Sequence, residues 1–184
     1  TTILKDIQSV ARNTEFRSIA GTKEAIFILA VGNPAMLIRI DKKTLEETVV
    51  YKEEHEKVFY DSMQFVDDLN GFAMGDPIEN CLAFIKTSDG GKTWKKVNCD
   101  VLPKVSEGEA AFATSNTNLT IKGKSIFMVS GGKKSRVFVS KDFGATWKVY
   151  ETPIVQGETM TGIFTADFYK KKIGIIAGGN YEKQ

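Results

Sequence analysis

The chain has 184 residues, 42% hydrophobic and 10% aromatic, with 25 Lys and Arg against 23 Asp and Glu and a formal charge of +2. That composition is ordinary for a globular chain with a sizeable core and argues against disorder. The charges are balanced and scattered in short runs such as KKTLEE and KEEHEK, which gives no reason to expect nucleic acid as a partner. The longest apolar run, AIFILAV at 25–31, is far shorter than the roughly twenty residues a spanning helix needs, so no membrane span is expected.

Taken in chain order, the first dozen residues, TTILKDIQSVAR, are the one place where a helix is conceivable, or TTILKDIQSV supplies a closing strand. From there on the apolar residues alternate or run continuously for a few positions and are rich in Ile, Val, Phe and Thr, the pattern of strands and not of helices. A first unit reads FRSIAGT, AIFILAVGNP, AMLIRID and EETVVYK. The second reads YDSMQFVD, GFAMGDP, LAFIKTS and WKKVNC, and the third EAAFATSNTNLTI, SIFMVSGG, SRVFVSK and WKVYET. TGIFTADFY and GIIAGGN begin a fourth. The glycines that close each second strand, Gly32, Gly75, Gly131 and Gly178, recur at intervals of roughly 45 residues, the length of a four-stranded propeller blade.

The expected fold is therefore all-β, a β-propeller of four-stranded antiparallel blades at about 15–52, 58–100 and 108–152, with an incomplete one at 159–184. Such rings close with four to eight blades, because closure removes exposed sheet edges. Three and a half blades form one partial domain over 1–184, expected to belong to a ring of around seven. The remainder would come from the rest of a longer chain or from another copy. The absence of an initiator Met and of a signal peptide fits a trimmed product or a piece of something longer.

Between the third and fourth strands the second unit carries TSDGGKTW, Thr87 to Trp94, and the third carries SKDFGATW, Ser140 to Trp147. The first unit has only the degenerate DKKTLEE there. In each octamer the parts have a structural use. Asp89 and Asp142 are suited to accept amide hydrogen bonds from their own loop. Gly91 and Gly144 supply the positive φ of the return. Thr87 and Ser140 are placed to donate to the Asp, Thr93 and Thr146 precede the ring, and Trp94 and Trp147 lay a large apolar surface between sheets. Calcium binding or acid catalysis by these Asp residues is the weaker reading, and no metal site is expected. Cys81 and Cys99 flank the first octamer nearly symmetrically. As a hairpin they would face each other within bridging distance, but a slip of one residue would send the sulfurs to opposite faces, so a disulfide and two buried thiols both remain open.

The pattern Ser/Thr-x-Asp-x-Gly-x-Thr-Trp resembles the Asp-box, or BNR, repeat of sialidases, other glycoside hydrolase propellers, sortilin-type receptors and the photosystem II stability/assembly factor family. The resemblance covers the chain from about residue 15. YDSMQFVDDLNGFAMGDP, GEAAFATSNTNL and KSRVF are further similar to bacterial assembly-factor-like propellers, some carrying an inherited oxidoreductase label. No dinucleotide fingerprint supports that label, since Gly71, Gly75 and Gly90-Gly91 close strands and open no helix, and no cofactor is expected.

The resemblance implies function on the face opposite the octamers, where strands two and three and successive blades are joined. Residues there include Asn33, Asp76, Glu79, Glu107, Glu109, Lys133, Lys134, Arg136, Gln156, Glu158 and Asn180. Asp76, Lys133, Arg136, Gln156 and Asn180 are the binding candidates, and Lys133, Lys134 and Arg136 would suit an anion. Asp76 and Glu109 are the pair a glycoside hydrolase would use, although Asp76, before Pro77, is also a good turn residue. With four Arg in all, and FRSI at 16–19 lacking the Pro of the sialidase motif, sialidase activity is not expected. The single His55 lies in the charged run EEHEK, more a solvated turn than a base. The leading expectation is a non-catalytic platform for a protein or glycan ligand, periplasmic, secreted or on a bacterial cell surface. A glycoside hydrolase is the alternative.

Overall fold

The computed structural model describes residues 4–10, 14–112, 116–171 and 173–183. Among them no residue is helical, and the strands form four four-stranded sheets with every pairing antiparallel. Residues 4–10 form neither the helix nor the strand considered for the first dozen; residues 1–3 and 11–13 lie outside the described set. Lys5 pairs with Glu47, whose other oxygen accepts the Gln8 and Ser9 amides.

The first sheet orders β1 (Phe16–Gly21), β2 (Ala25–Ala30), β3 (Ala35–Asp41) and β4 (Glu47–Glu53) in sequence. The second does the same with β5 (Tyr60–Phe65), β6 (Gly71–Pro77), β7 (Leu82–Thr87) and the two-residue β8 (Lys95–Lys96). Strands that read as single runs in the third unit are divided. β9 (Glu109–Ala110) precedes β10 (Leu119–Lys122), and β11 (Ser125–Val129) is followed by β12 (Gly131–Gly132), β13 (Arg136–Ser140) and β14 (Lys148–Glu151). The third sheet is β10-β11-β13-β14, whereas β9 pairs with β12 and β12 pairs onward with β15 (Thr161–Tyr169), which in turn pairs with β16 (Ile173–Asn180), to give a fourth sheet in the order β16-β15-β12-β9. The last two strands thus acquire two partners borrowed from the unit before. Glycine permits the crossing: a Cβ on Gly162 would lie 2.2 Å from the Gly131 Cα.

Residue alternation builds a core between each pair of neighbouring sheets. On β7, Ala83 and Ile85 join a cluster with Phe27, Leu29 and Leu37 of the first sheet, while Leu82 and Phe84 face Ile126, Met128 and Phe138 of the third. A middle strand buried on both faces therefore reads as a continuous apolar run. A smaller cluster of Val129, Val137, Ile163 and Ala166 joins the third sheet to the fourth. Outer strands such as β8 and β14 are mostly exposed, and so are Tyr169, Ile173 and Ile175 on the last two strands.

The two octamers fold alike. Thr87 Oγ1 donates to Asp89 Oδ1 (2.8 Å) and accepts the Gly91 amide, while Asp89 accepts both the Thr93 amide (3.0 Å) and its hydroxyl (2.7 Å). Ser140, Asp142, Gly144 and Thr146 repeat each bond. Gly91 and Gly144 have φ of 75° and 81°. Each loop leans on the preceding sheet: Trp94 meets Phe27 edge-on with ring centroids 6.4 Å apart, and Trp147 meets Phe84 at 5.8 Å. The degenerate turn keeps one element, since Asp41 Oδ1 accepts the Lys43 and Thr44 amides. Cys81 and Cys99 are bonded, with their Cα atoms 5.6 Å apart, and clamp the hairpin that carries the first octamer.

Candidate functional site

Both octamer carboxylates are consumed within their own loops. Burial works against the ionised form of Asp89, but the Thr93 and Thr87 hydrogen bonds prevail and hold it down at about 2. For Asp142 the Thr146 hydroxyl and amide lead, again to about 2. An anion that accepts three hydrogen bonds from its own loop is a turn brace with little left for a substrate or metal. Among the described residues no cluster of three His, Cys, Asp or Glu side chains is arranged to hold a metal.

On the opposite face, an open groove of about 620 Å³ runs between the β6–β7 loop and the segment around β9, lined by Lys57, Asp76, Glu79, Glu107, Glu109 and Thr159 among others. Glu79 and Glu107 are exposed at its edge. Asp76, one residue before the end of β6, reaches across to accept the Ala111 amide at 2.9 Å, tying the second sheet to the start of the third unit. Burial pushes its carboxyl above the usual range, and that amide pulls the other way.

Glu109 is close by in sequence order of the groove but chemically occupied. Its side chain is fully buried and accepts Ser130 Oγ (2.6 Å), Arg136 Nε (2.9 Å) and the Ser106 amide (2.9 Å), and it pairs a second time with the Arg136 guanidinium. Arg136 spends its remaining reach on the Lys104 carbonyl and lies over the Phe138 ring. The two residues form a fork-to-fork brace under the loops. The pair anticipated for a glycoside hydrolase thus has one member without a spare oxygen, and the guanidinium anticipated for an anion is already neutralised.

The other binding candidates form a separate web. Lys133 Nζ donates to the Gly157 carbonyl, Gln156 accepts the Ser135 amide, Asn180 donates to Glu158, and Lys134 pairs with Glu151. These contacts knit the β12–β13 turn to the loop before β15 and to the end of β16. Asn33 lies outside the groove lining.

A further residue, not anticipated from the sequence, lacks a hydrogen-bond partner among the described residues. Asp61 lies near the start of β5, outside the groove lining, where the register with β6 slips between Tyr60 and Ser62. It is only 2% exposed, yet among the described residues neither carboxylate oxygen has a hydrogen-bond partner, and the neighbouring Ser62 Oγ, buried too, has none either. Burial, then the nearby Asp76 charge, push the Asp61 carboxyl up to about 8, against the pull of Arg17. Arg17 is held by Glu15 at 3.1 Å and stacks over Phe59. A signal was present: a charged residue followed by Ser inside an otherwise buried inner strand. The same slip recurs between Phe16 and Ser18 and between Ile163 and Thr165, so Arg17, Asp61 and Phe164 are the extra residues of equivalent bulges in three inner strands. Bulges re-aim side chains and concentrate beside functional sites.

The strand pairing defines the chain as an all-β protein of four-stranded antiparallel propeller blades. Comparison with protein-family models gave no match, and neither did a search of curated proteins. Among solved structures, a chain described as YCF48 bound to D1 peptide superposes with a TM-score of 0.37 and 11% sequence identity, covering 98% of this chain and 78% of that one. A likeness that loose carries nothing about ligand or role.

Proposed function

We propose that the protein is a binding platform that seats a protein segment in the groove opposite the octamers. The observation that carries this reading is the groove itself, open and edged by the acidic Asp76, Glu79 and Glu107, while the supposed catalytic partner Glu109 is locked by Arg136. A disulfide beside the groove is in keeping with an oxidising, extracytoplasmic setting in a bacterium. The test is a peptide and glycan array probed with the wild-type chain, with a Glu79→Arg/Glu107→Arg variant, and with a Lys92→Glu variant on the octamer side. Ligands are expected to be lost by the groove variant and kept by the octamer variant. Hits that survive the groove reversal would refute the reading.

A glycoside hydrolase is the second reading, and what favours it is the pair Asp61 and Asp76 in place of Asp76 and Glu109. A carboxyl held protonated by burial beside a second carboxyl is the usual division between a general acid and its partner. Sugar release from a broad glycoside panel, abolished by Asp61→Asn, would establish it, and an inert panel would dismiss it.

A further inference from the structure

The octamer side has an opening of its own. A cleft of about 410 Å³ lies between the second sheet and the second octamer, lined by Phe72, Lys86, Ser88, Lys95 and Phe143 among others. Its volume is in the range of small-ligand sites. Strand register explains the lining. Phe72 on β6 stands opposite Lys86 on β7, and Lys86 opposite Lys95 on β8, so the three share one face of the sheet. Like charges directly opposite each other destabilise a sheet. Among the described residues neither lysine has an ion-pair partner to offset this. The first and third sheets have rows that also begin at a Phe of the second strand. In the first, Phe27, Arg39 and Thr48 include a single cation, which Asp41 pairs at 3.4 Å. In the third, Phe127, Val139 and Lys148 again include a single cation.

The same phenylalanines show a second difference. Phe27 stacks on Phe65 of the next sheet's inner strand with centroids 4.6 Å apart, and Phe127 on Phe168 at 3.8 Å. The corresponding strand for Phe72 is β10, LTIK, which offers no ring. Phe72 is met across that boundary by Phe143 of the second octamer, nearly parallel but 6.1 Å away. Phe143 stands where the first octamer has Gly90, and it holds a φ of 57°, in the left-handed region that side chains normally avoid. Phe72 is buried, whereas Phe143 is only half-buried and lines the cleft. A strained backbone thus holds a partly exposed ring in a cleft whose wall carries two opposed lysines.

We propose that this cleft binds an aromatic carboxylate, with its ring against Phe143 and its carboxylate between the Lys86 and Lys95 ammonium groups. Directly opposed residues have Cβ atoms about 4.5 to 5.5 Å apart, so two long side chains can converge on the two oxygens of one carboxylate. An aromatic body suits the apolar part of the lining that Phe143 presents. Ser88, exposed on the same lining, offers a hydroxyl donor. Asp89 also lines the cleft, but its carboxylate accepts three hydrogen bonds within its own loop, which leaves the two lysines to set the sign of the site. The cleft and the groove on the opposite face share no lining residue, so this proposal and the platform reading stand or fall separately.

The experiment titrates benzoate, its neutral counterpart benzamide, and acetate into the isotope-labelled whole chain at low salt, with backbone amide shifts as the readout. Benzoate is expected to bind about tenfold more tightly than either of the others, with the largest shifts at Lys86, Ser88, Lys95 and Phe143. Lys86→Gln combined with Lys95→Gln is expected to erase the preference over benzamide. Phe143→Asn, which places a residue tolerant of the left-handed region there, is expected to erase the preference over acetate. The lysine variant also relieves a like-charge pair and is expected to melt no lower than the wild type. Absence of saturable benzoate binding, equal binding of benzamide or acetate, or shifts centred elsewhere would overturn the proposal. So would a preference over benzamide that survives the lysine variant. A lowered melting temperature in that variant would mean that the two cations serve the fold, and it too would overturn the proposal.

Discussion

Replacing Asp61 with Asn is expected to make the folded protein more stable, and increasingly so as pH rises. The unfolded chain releases this proton near 3.8, whereas burial and Asp76 delay release in the folded state to about 8. Between those values the folded state binds a proton that the unfolded state has lost, so stability falls with rising pH by about 1.4 kcal/mol per unit. Three units of that window lie below pH 7, which sets an upper bound of about 4 kcal/mol on what ionisation of Asp61 costs there. Asn has the same shape and no charge, and its own unpaired amide costs the same at every pH. The pH slope is thus the quantity to read, and not the absolute difference. Urea unfolding followed by Trp fluorescence at intervals from pH 5 to 8 is the assay. The gap between Asp61→Asn and wild type is expected to widen steadily across the series, while the pH dependence that burial of Asp76 adds is common to both proteins and cancels from the gap. Parallel curves would refute the reasoning, because they would mean that the carboxyl is solvated or paired. A gain in stability on removing a buried polar group is the usual mark of a residue kept for function.

Three further outcomes follow from the geometry. Cys81→Ser closes no loop across a separation of 18 residues and is expected to lower stability by about 3 kcal/mol, seen as a drop in the denaturation midpoint that reductant reproduces in the wild type. Gly91→Ala and Gly144→Ala both strain a positive φ at a cost of about 1 kcal/mol or more. A Cβ on Gly91 would also lie 2.3 Å from Phe27, against 3.4 Å from Phe84 for Gly144. Gly91→Ala is therefore expected to lower the melting temperature more, and equal losses would contradict the packing described. Glu109→Gln strips one member from a buried ion pair and is expected to cost about 3 to 5 kcal/mol. The loss is read as a drop in the urea unfolding midpoint, and an unchanged midpoint would contradict the brace.

Strand identity and blade succession were legible in the chain because they are local. Period-two alternation, continuous apolar runs on β2, β6 and β7, and glycine closures at blade-length intervals all express the demand of a twisted sheet buried on both faces. The octamers were legible for the same reason, since Asp89 and Asp142 bond only within their own loops and the required residues are all within eight positions. Distant pairings were not. Nothing in GEAAFATSNTNL or SGGKKSR discloses that β12, with β9 on its other side, leaves its own unit to pair with β15, because that choice depends on how closely Gly131 and Gly162 can approach in space. The same holds for the site. Asp76, Glu109 and Arg136 were legible as polar residues on one face, but the face alone could not say that Arg136 already satisfies Glu109. Whether a carboxylate is free or consumed depends on partners many residues away, and so does its proton affinity. Asp61 shows this most sharply: in sequence it is one charge in a strand, and only the tertiary packing around β5 leaves it buried, near Asp76, with neither oxygen hydrogen-bonded among the described residues.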